Sequence, residues 1–154
     1  MLAPYYRSAY AIVLRGSVVL GGLLLPTAAA GSDAEVQSSM QCDRASEPGR
    51  VRCTVEARVS GGRTIAWADV EILSLPDFAS ALKGRIGPQD ALSRDATATK
   101  WALGLVARRA GQGEVRARVR VVACDAPRAG APSGEPRTHC APLIVEVKAQ
   151  VTVG

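Results

Sequence analysis

The sequence predicts an all-β protein, an antiparallel immunoglobulin- or fibronectin-like sandwich of six or seven strands that follows an N-terminal signal peptide. Three observations predict it. Apolar and polar residues alternate with a period of two through most of the chain after residue 30, which places side chains on opposite faces of a pleated strand. Glycine-rich turn signals separate the alternating runs. No run of helical period interrupts them, so short, regularly spaced strands are left to pack as two sheets.

Residues 1–30 read as a cleavable leader. A basic start with Arg7 and Arg15 and no acid precedes the apolar run Gly16–Leu25, which Pro26 stops, and Ala28-Ala29-Ala30 supplies a small-residue exit before Gly31. The apolar run is far shorter than the roughly 20 residues a helix needs to cross a bilayer. An uncleaved anchor is the competing reading, because Arg15 lies deep in the segment. The remaining residues, 31–154, are expected to form a single β-sandwich domain, large enough to bury a core.

The strands are expected in this order. Glu35–Cys42 alternates weakly, and Val51–Val59 strongly, with Val51, Cys53, Val55, Ala57 and Val59 inward. Ser60-Gly61-Gly62 makes a turn into a strand over Thr64–Leu75. Pro76–Asp95 is expected to be a long connection with one helical turn around Phe78–Leu82, and long connections in compact domains often carry function. A strand over Thr97–Arg108 follows, with Trp101 sharing a core face with Leu103 and Leu105. After a turn at Gly111-Gln112-Gly113, Glu114–Val121 puts four small apolar residues on one face and Glu114, Arg116, Arg118 and Arg120 on the other. Asp125–His139, rich in Pro and Gly, is irregular. Leu143–Val153 then alternates in the same way as the strand before that loop, and the two are expected to pair.

Charge excludes some functions. The chain carries 19 basic and 14 acidic side chains for a net +5, and loss of Arg7 and Arg15 with the leader leaves +3. The basic residues are spread along strand faces with few aromatics among them, so nucleic acid is not an expected partner, and the arginines read as solvated surface. No other apolar run is long enough for a membrane span once the leader is removed.

Export gives the four cysteines their meaning: Cys42, Cys53, Cys124 and Cys140 are most simply two disulfides, with three pairings open. Strand parity favours Cys42 with Cys53 as a buried staple, and Cys124 with Cys140 as an outward-facing pair at the base of the Asp125–His139 loop. The competitor is an inter-sheet Cys53–Cys124 bridge beside Trp67, as in antibody domains. An exposed Cys124–Cys140 pair is either a staple or a redox site. In the redox reading His139, the only histidine, could as an imidazolium favour the Cys140 thiolate.

A strand ending in Cys124, a loop, and Cys140-Ala141-Pro142 leading into an alternating strand resembles the immunoglobulin-like N-terminal periplasmic domain of the transmembrane thiol:disulfide interchange reductase family. The resemblance covers about the last forty residues. It implies a Cys124/Cys140 pair that passes electrons to other exported proteins, and a cap over it for which Phe78 would serve. The loop between the cysteines is longer than that pattern has, no tyrosine lies near it, and the Cys42 and Cys53 pair is extra to it.

Other chemistries leave little trace. There is no phosphate loop and no G-x-S-x-G, and a single histidine with cysteines on opposite faces does not suit zinc, so no metal and no cofactor are expected. Asp69 and Glu71 share a strand face with Trp67 and read as solvated acids. The expected function is a non-enzymatic binding or scaffold module, periplasmic or secreted, whose partner is another exported or envelope protein; the alternative is thiol:disulfide interchange at Cys124 and Cys140.

Overall fold

The computed structural model describes residues 36–125 and 139–154, so the expected leader and most of the loop between Cys124 and Cys140 lie outside the described residues. Nine strands form among the described residues: β1 (Val36–Cys42), β2 (Gly49–Val59), β3 (Arg63–Ser74), β4 (Ala79–Ala81), β5 (Arg85–Ile86), β6 (Ala91–Arg94), β7 (Ala98–Ala107), β8 (Gly111–Asp125) and β9 (Cys140–Val153). Every pairing between them is antiparallel. One sheet runs β1-β2-β7-β4 with β6 also on β7, and the other runs β5-β3-β8-β9. This is the strand order of an immunoglobulin-like sandwich.

The alternation in the sequence becomes the core. Val51, Cys53, Val55, Ala57 and Val59 of β2 face Val115, Ala117, Val119 and Val121 of β8 across the space between the sheets, and all are buried. Trp101 fills the middle with Leu103 and Leu105, and its indole N–H donates to the Gly87 carbonyl at 3.0 Å. Buried indoles need such a partner, because an unpaired N–H in an apolar interior costs more than the bond itself yields in water. The β2–β3 turn holds Gly61 and Gly62 at φ 68° and 73°, backbone that an L side chain resists, which is why the Ser60-Gly61-Gly62 signal was readable.

Two expectations are corrected. Gly111-Gln112-Gly113 is not a turn: β8 begins at Gly111, which pairs with Val153, and the connection is Arg108–Ala110. The glycines are there because Phe78 and Pro76 pack onto this end of the strand, where a Cβ on Gly111 would come within 2.8 Å of the Phe78 ring. The Pro76–Asp95 connection has no helical turn around Phe78–Leu82; β4 occupies that stretch, and the only helical geometry in the connection is a 3₁₀ turn at Pro88–Asp90. The chain in this connection crosses between sheets. β4 joins one edge of β7 in the first sheet, β5 joins β3 in the second, and β6 returns to the same edge of β7. Backbone groups too short of partners to be a buried loop are satisfied this way on both sheets.

The parity of β3 changes along its length. A bulge between Ile65 and Trp67 gives β3 an extra residue opposite Ala123 and Val122 of β8. Ile65 therefore points inward with Ala68 and Val70, while Trp67 points out. No α-helix occurs among the described residues, so no helix among them is long and apolar enough to cross a membrane.

Trp101→Phe is expected to cost about 2 kcal/mol, from the cavity left by the smaller ring and the orphaned Gly87 carbonyl. Urea unfolding should show a lower midpoint at unchanged slope; an unchanged midpoint would contradict the packing described.

Candidate functional site

Both favoured disulfides form: Cys42–Cys53 and Cys124–Cys140, with Cα–Cα distances of 3.9 and 4.0 Å. Each joins residues directly opposite one another on neighbouring strands. In each case the next pair along the ladder is hydrogen-bonded, Asp43 N–H to the Arg52 carbonyl and Asp125 N–H to the His139 carbonyl, both at 2.9 Å. The cysteines thus sit at the close, non-hydrogen-bonded positions of antiparallel ladders. No bridge crosses between the sheets, which excludes the antibody-type pairing. Cys53 is buried in the core as expected, with Cys42 half-buried at its rim.

The second pair departs from its expected surroundings. Cys124 does continue the arginine face of β8, because the bulge lies in β3 and β8 pairs with β9 without a break. It is nonetheless only 1% exposed, whereas Cys140 and His139 are exposed. Phe78 does not cap this pair. It is buried against Gly111, at the opposite end of β8 from Cys124, and thirteen strand residues separate those ends by roughly 40 Å. The structure brings together Cys124, Cys140 and His139 and leaves Phe78 out.

On the outer face of the β5-β3-β8-β9 sheet the arginines of β8 are not free. Arg116 pairs with Glu146 at 3.0 Å, and Arg118 lies 3.9 Å from Glu71 and 3.6 Å from Glu146. Arg120 makes a two-pronged contact with Asp69, Nε to Oδ1 at 2.8 Å and a terminal nitrogen to Oδ2 at 2.5 Å, and its guanidinium lies 5.8 Å from the centre of the Trp67 ring. Arg85 of β5 donates to the same Asp69 from the other side at 2.5 Å. Asp69 is therefore not a solvated acid, as its sequence suggested: it is 1% exposed and clamped by two arginines from two neighbouring strands. Burial pushes its carboxyl up, and the hydrogen bonds and charges of Arg120 and Arg85 outweigh that and hold it below the ordinary 3.8.

The outer face of the other sheet is different. Arg50 and Arg52 of β2 alternate with buried Val51 and Cys53 and point outward, opposite Val106 and Gly104 of β7. Beside them lies a cleft of about 820 Å³, walled by Leu82 and Lys83 after β4 and by the β1–β2 loop that carries Arg44. Lys83 is engaged by Asp90 at 2.5 Å. Arg44, Arg50 and Arg52 make no ion pair among the described residues, although Asp43 and Glu47 share the loop. Leu82, 58% exposed, rests over Gly104, to whose carbonyl its N–H donates at 2.9 Å. The loop is held at both ends: Cys42–Cys53 closes its base, and Ala45 donates to the Thr152 carbonyl and accepts from the Gly154 N–H. The cleft left no mark in the sequence, since Arg50 and Arg52 read as ordinary outward strand positions. Among the described residues no cluster of His, Cys, Asp and Glu could hold a metal ion.

Asp69→Asn is expected to lower stability at pH 7 by about 2 kcal/mol, a figure reduced from that of fully buried pairs because both arginines are partly exposed. Its sign with pH follows from the lowered carboxyl: the wild-type advantage is full above about pH 4 and is lost as the pH falls through the folded-state value. Unfolding curves from pH 7 to pH 2 should therefore converge for the two proteins, and a constant gap would refute the clamp. No family model and no curated protein sequence matches the chain. Among solved structures it is similar to the ASH/PapD-like domain 7 of human CEP192, at 11% identity over 90% of this chain and 99% of that one, with a TM-score of 0.36. It is also similar to BslA, a bacterial hydrophobin, at 9% identity over 77% of this chain and 94% of that one, with a TM-score of 0.29.

Proposed function

We propose that this chain is an exported, non-enzymatic immunoglobulin-like module that binds another exported or envelope protein through the cleft on the β1-β2-β7-β4 sheet, with both disulfides as staples. One observation carries the reading. The arginines of β8 are neutralised within the fold, whereas Arg44, Arg50 and Arg52 gather around one concave site without an ion-pair partner among the described residues. Unpaired guanidinium groups beside an apolar floor are suited to recognising a partner, since their charge is not already consumed by internal pairs. Export is supported by the basic, apolar and small-residue order of residues 1–30 and by two disulfides, which persist in oxidising compartments. The mature chain is expected to begin at Gly31, which intact-mass measurement of the exported protein checks.

Binding is tested with a photo-crosslinking residue at position 82 in the cleft and, as a control, at position 92, where Leu92 is exposed on β6. A crosslinked partner is expected from position 82 only, and it should disappear when Arg50 and Arg52 are both changed to Glu. Equal products from both positions would overturn the reading.

A second reading, thiol:disulfide interchange, draws on the exposure of Cys140 and His139. A partner thiolate would attack the Cys140 sulfur, form a mixed disulfide and expel the Cys124 thiolate. Cys124 is buried, and a thiolate released away from water is a poor leaving group, which favours the staple. Replacing both Cys124 and Cys140 with Ser is expected to leave a folded protein that is less stable by about 3 kcal/mol, the loop-entropy value for a loop of this size. A potential below about −300 mV for this disulfide would sink interchange, and a markedly higher one would sink the staple.

A further inference from the structure

We infer that the cleft takes an extended acidic peptide whose carboxylates occupy alternate positions along its backbone. This rests on the proposed binding role of the cleft and names its ligand. Arg50 and Arg52 are two residues apart on one face of β2, so their side chains leave the strand about 6.7 Å apart, twice the rise per residue. An extended peptide running along the strand presents its own side chains two apart at the same spacing and on one side. Each carboxylate then meets one guanidinium, whose planar fork donates to both oxygens. Carboxylates on consecutive residues would point to opposite sides and reach only one arginine.

The remaining walls fit the same ligand. Arg44 lies across the cleft on the β1–β2 loop, where it meets a third acidic side chain or a terminal carboxylate. The residues between the acids turn to the apolar side, which Ala102 and Leu82, packed over Gly104, supply. The volume of about 820 Å³ holds a few peptide residues and not a folded surface. Asp43 and Glu47 on the loop repel an acid placed out of register, which adds selectivity to attraction. The Cys42–Cys53 bridge and the backbone bonds of Ala45 hold the arginine-bearing loop in place before the ligand arrives, so little ordering is left to offset binding.

The test uses the exported chain with its disulfides intact and three probes at low ionic strength: acetyl-Glu-Val-Glu-Val-Glu-amide, its isomer acetyl-Glu-Glu-Val-Val-Glu-amide, in which no two acids are two residues apart, and inorganic pyrophosphate. Amide NMR shifts report where each binds. The alternating peptide is expected to shift residues 44, 50, 52, 82 and 104 and to bind roughly tenfold more tightly than its isomer, the worth of one additional charge-assisted pair. Arg52→Glu and Arg50→Glu should each remove that preference, while Arg58→Glu, on the same face but paired with Glu56 outside the cleft, should keep it. Equal affinity for the two peptides, or shifts in the cleft from pyrophosphate alone, would overturn the peptide ligand and leave the cleft as a site for anions. Shifts elsewhere, or none with any probe, would overturn the cleft as a binding site and the proposed function with it.

Discussion

Register along β8 is the constraint on which the rest depends. The strand pairs with β9 without interruption from Gly111 opposite Val153 to Cys124 opposite Cys140. That unbroken ladder keeps Val115, Ala117, Val119 and Val121 in the core, sets the arginine comb on the outer face, and delivers the two cysteines to the same rung. A slip of one residue would exchange the two faces and bury the arginines. On its other side β8 pairs with β3, and there the bulge at Ile65 and Trp67 brings Asp69 level with Arg120. The buried carboxylate and its two arginines are thus a product of register as much as of composition.

Much of this was legible in the chain, and the parts that were not share a cause. Residues such as Val55, Trp101, Val119 and Val151 could be placed inside because a period-two pattern states which face is dry, and turn chemistry at Gly61-Gly62 needed no knowledge of the fold. Asp69 could not be read. The acids of Trp67-Ala68-Asp69-Val70-Glu71 and the arginines of Arg116, Arg118 and Arg120 are complementary on inspection, but only the pairing of β3 with β8 sets one against the other. Burial of an acid is decided by such distant partners, and a local pattern holds no trace of them. Gly111 and Gly113 misled for a related reason: glycine marks a turn when considered alone, and here it marks the close approach of Pro76 and Phe78. The cleft was equally invisible, since it is assembled from a loop, two strands and the segment after β4.

The two disulfides divide the work of holding the fold differently from an antibody domain. Both lie within a sheet, one in each, so no disulfide joins the sheets. The sheets are joined by apolar packing around Trp101 and by the chain between β3 and β7, which pairs first with one sheet and then with the other. What the bridges secure is pairing between neighbouring strands, at the base of the arginine-bearing loop in one case and where β8 and β9 meet at Cys124 and Cys140 in the other.

That placement has a mechanical meaning. A chain drawn out from its two ends pays out length only where the covalent path is open, and each bridge short-circuits the path, one across a separation of 11 residues and the other across 16. Whatever yields first under tension, the segments enclosed by the two bridges add no length to the drawn chain. The loop from Asp43 to Gly49, with Arg44 upon it, therefore keeps its closure when the sandwich around it has already yielded.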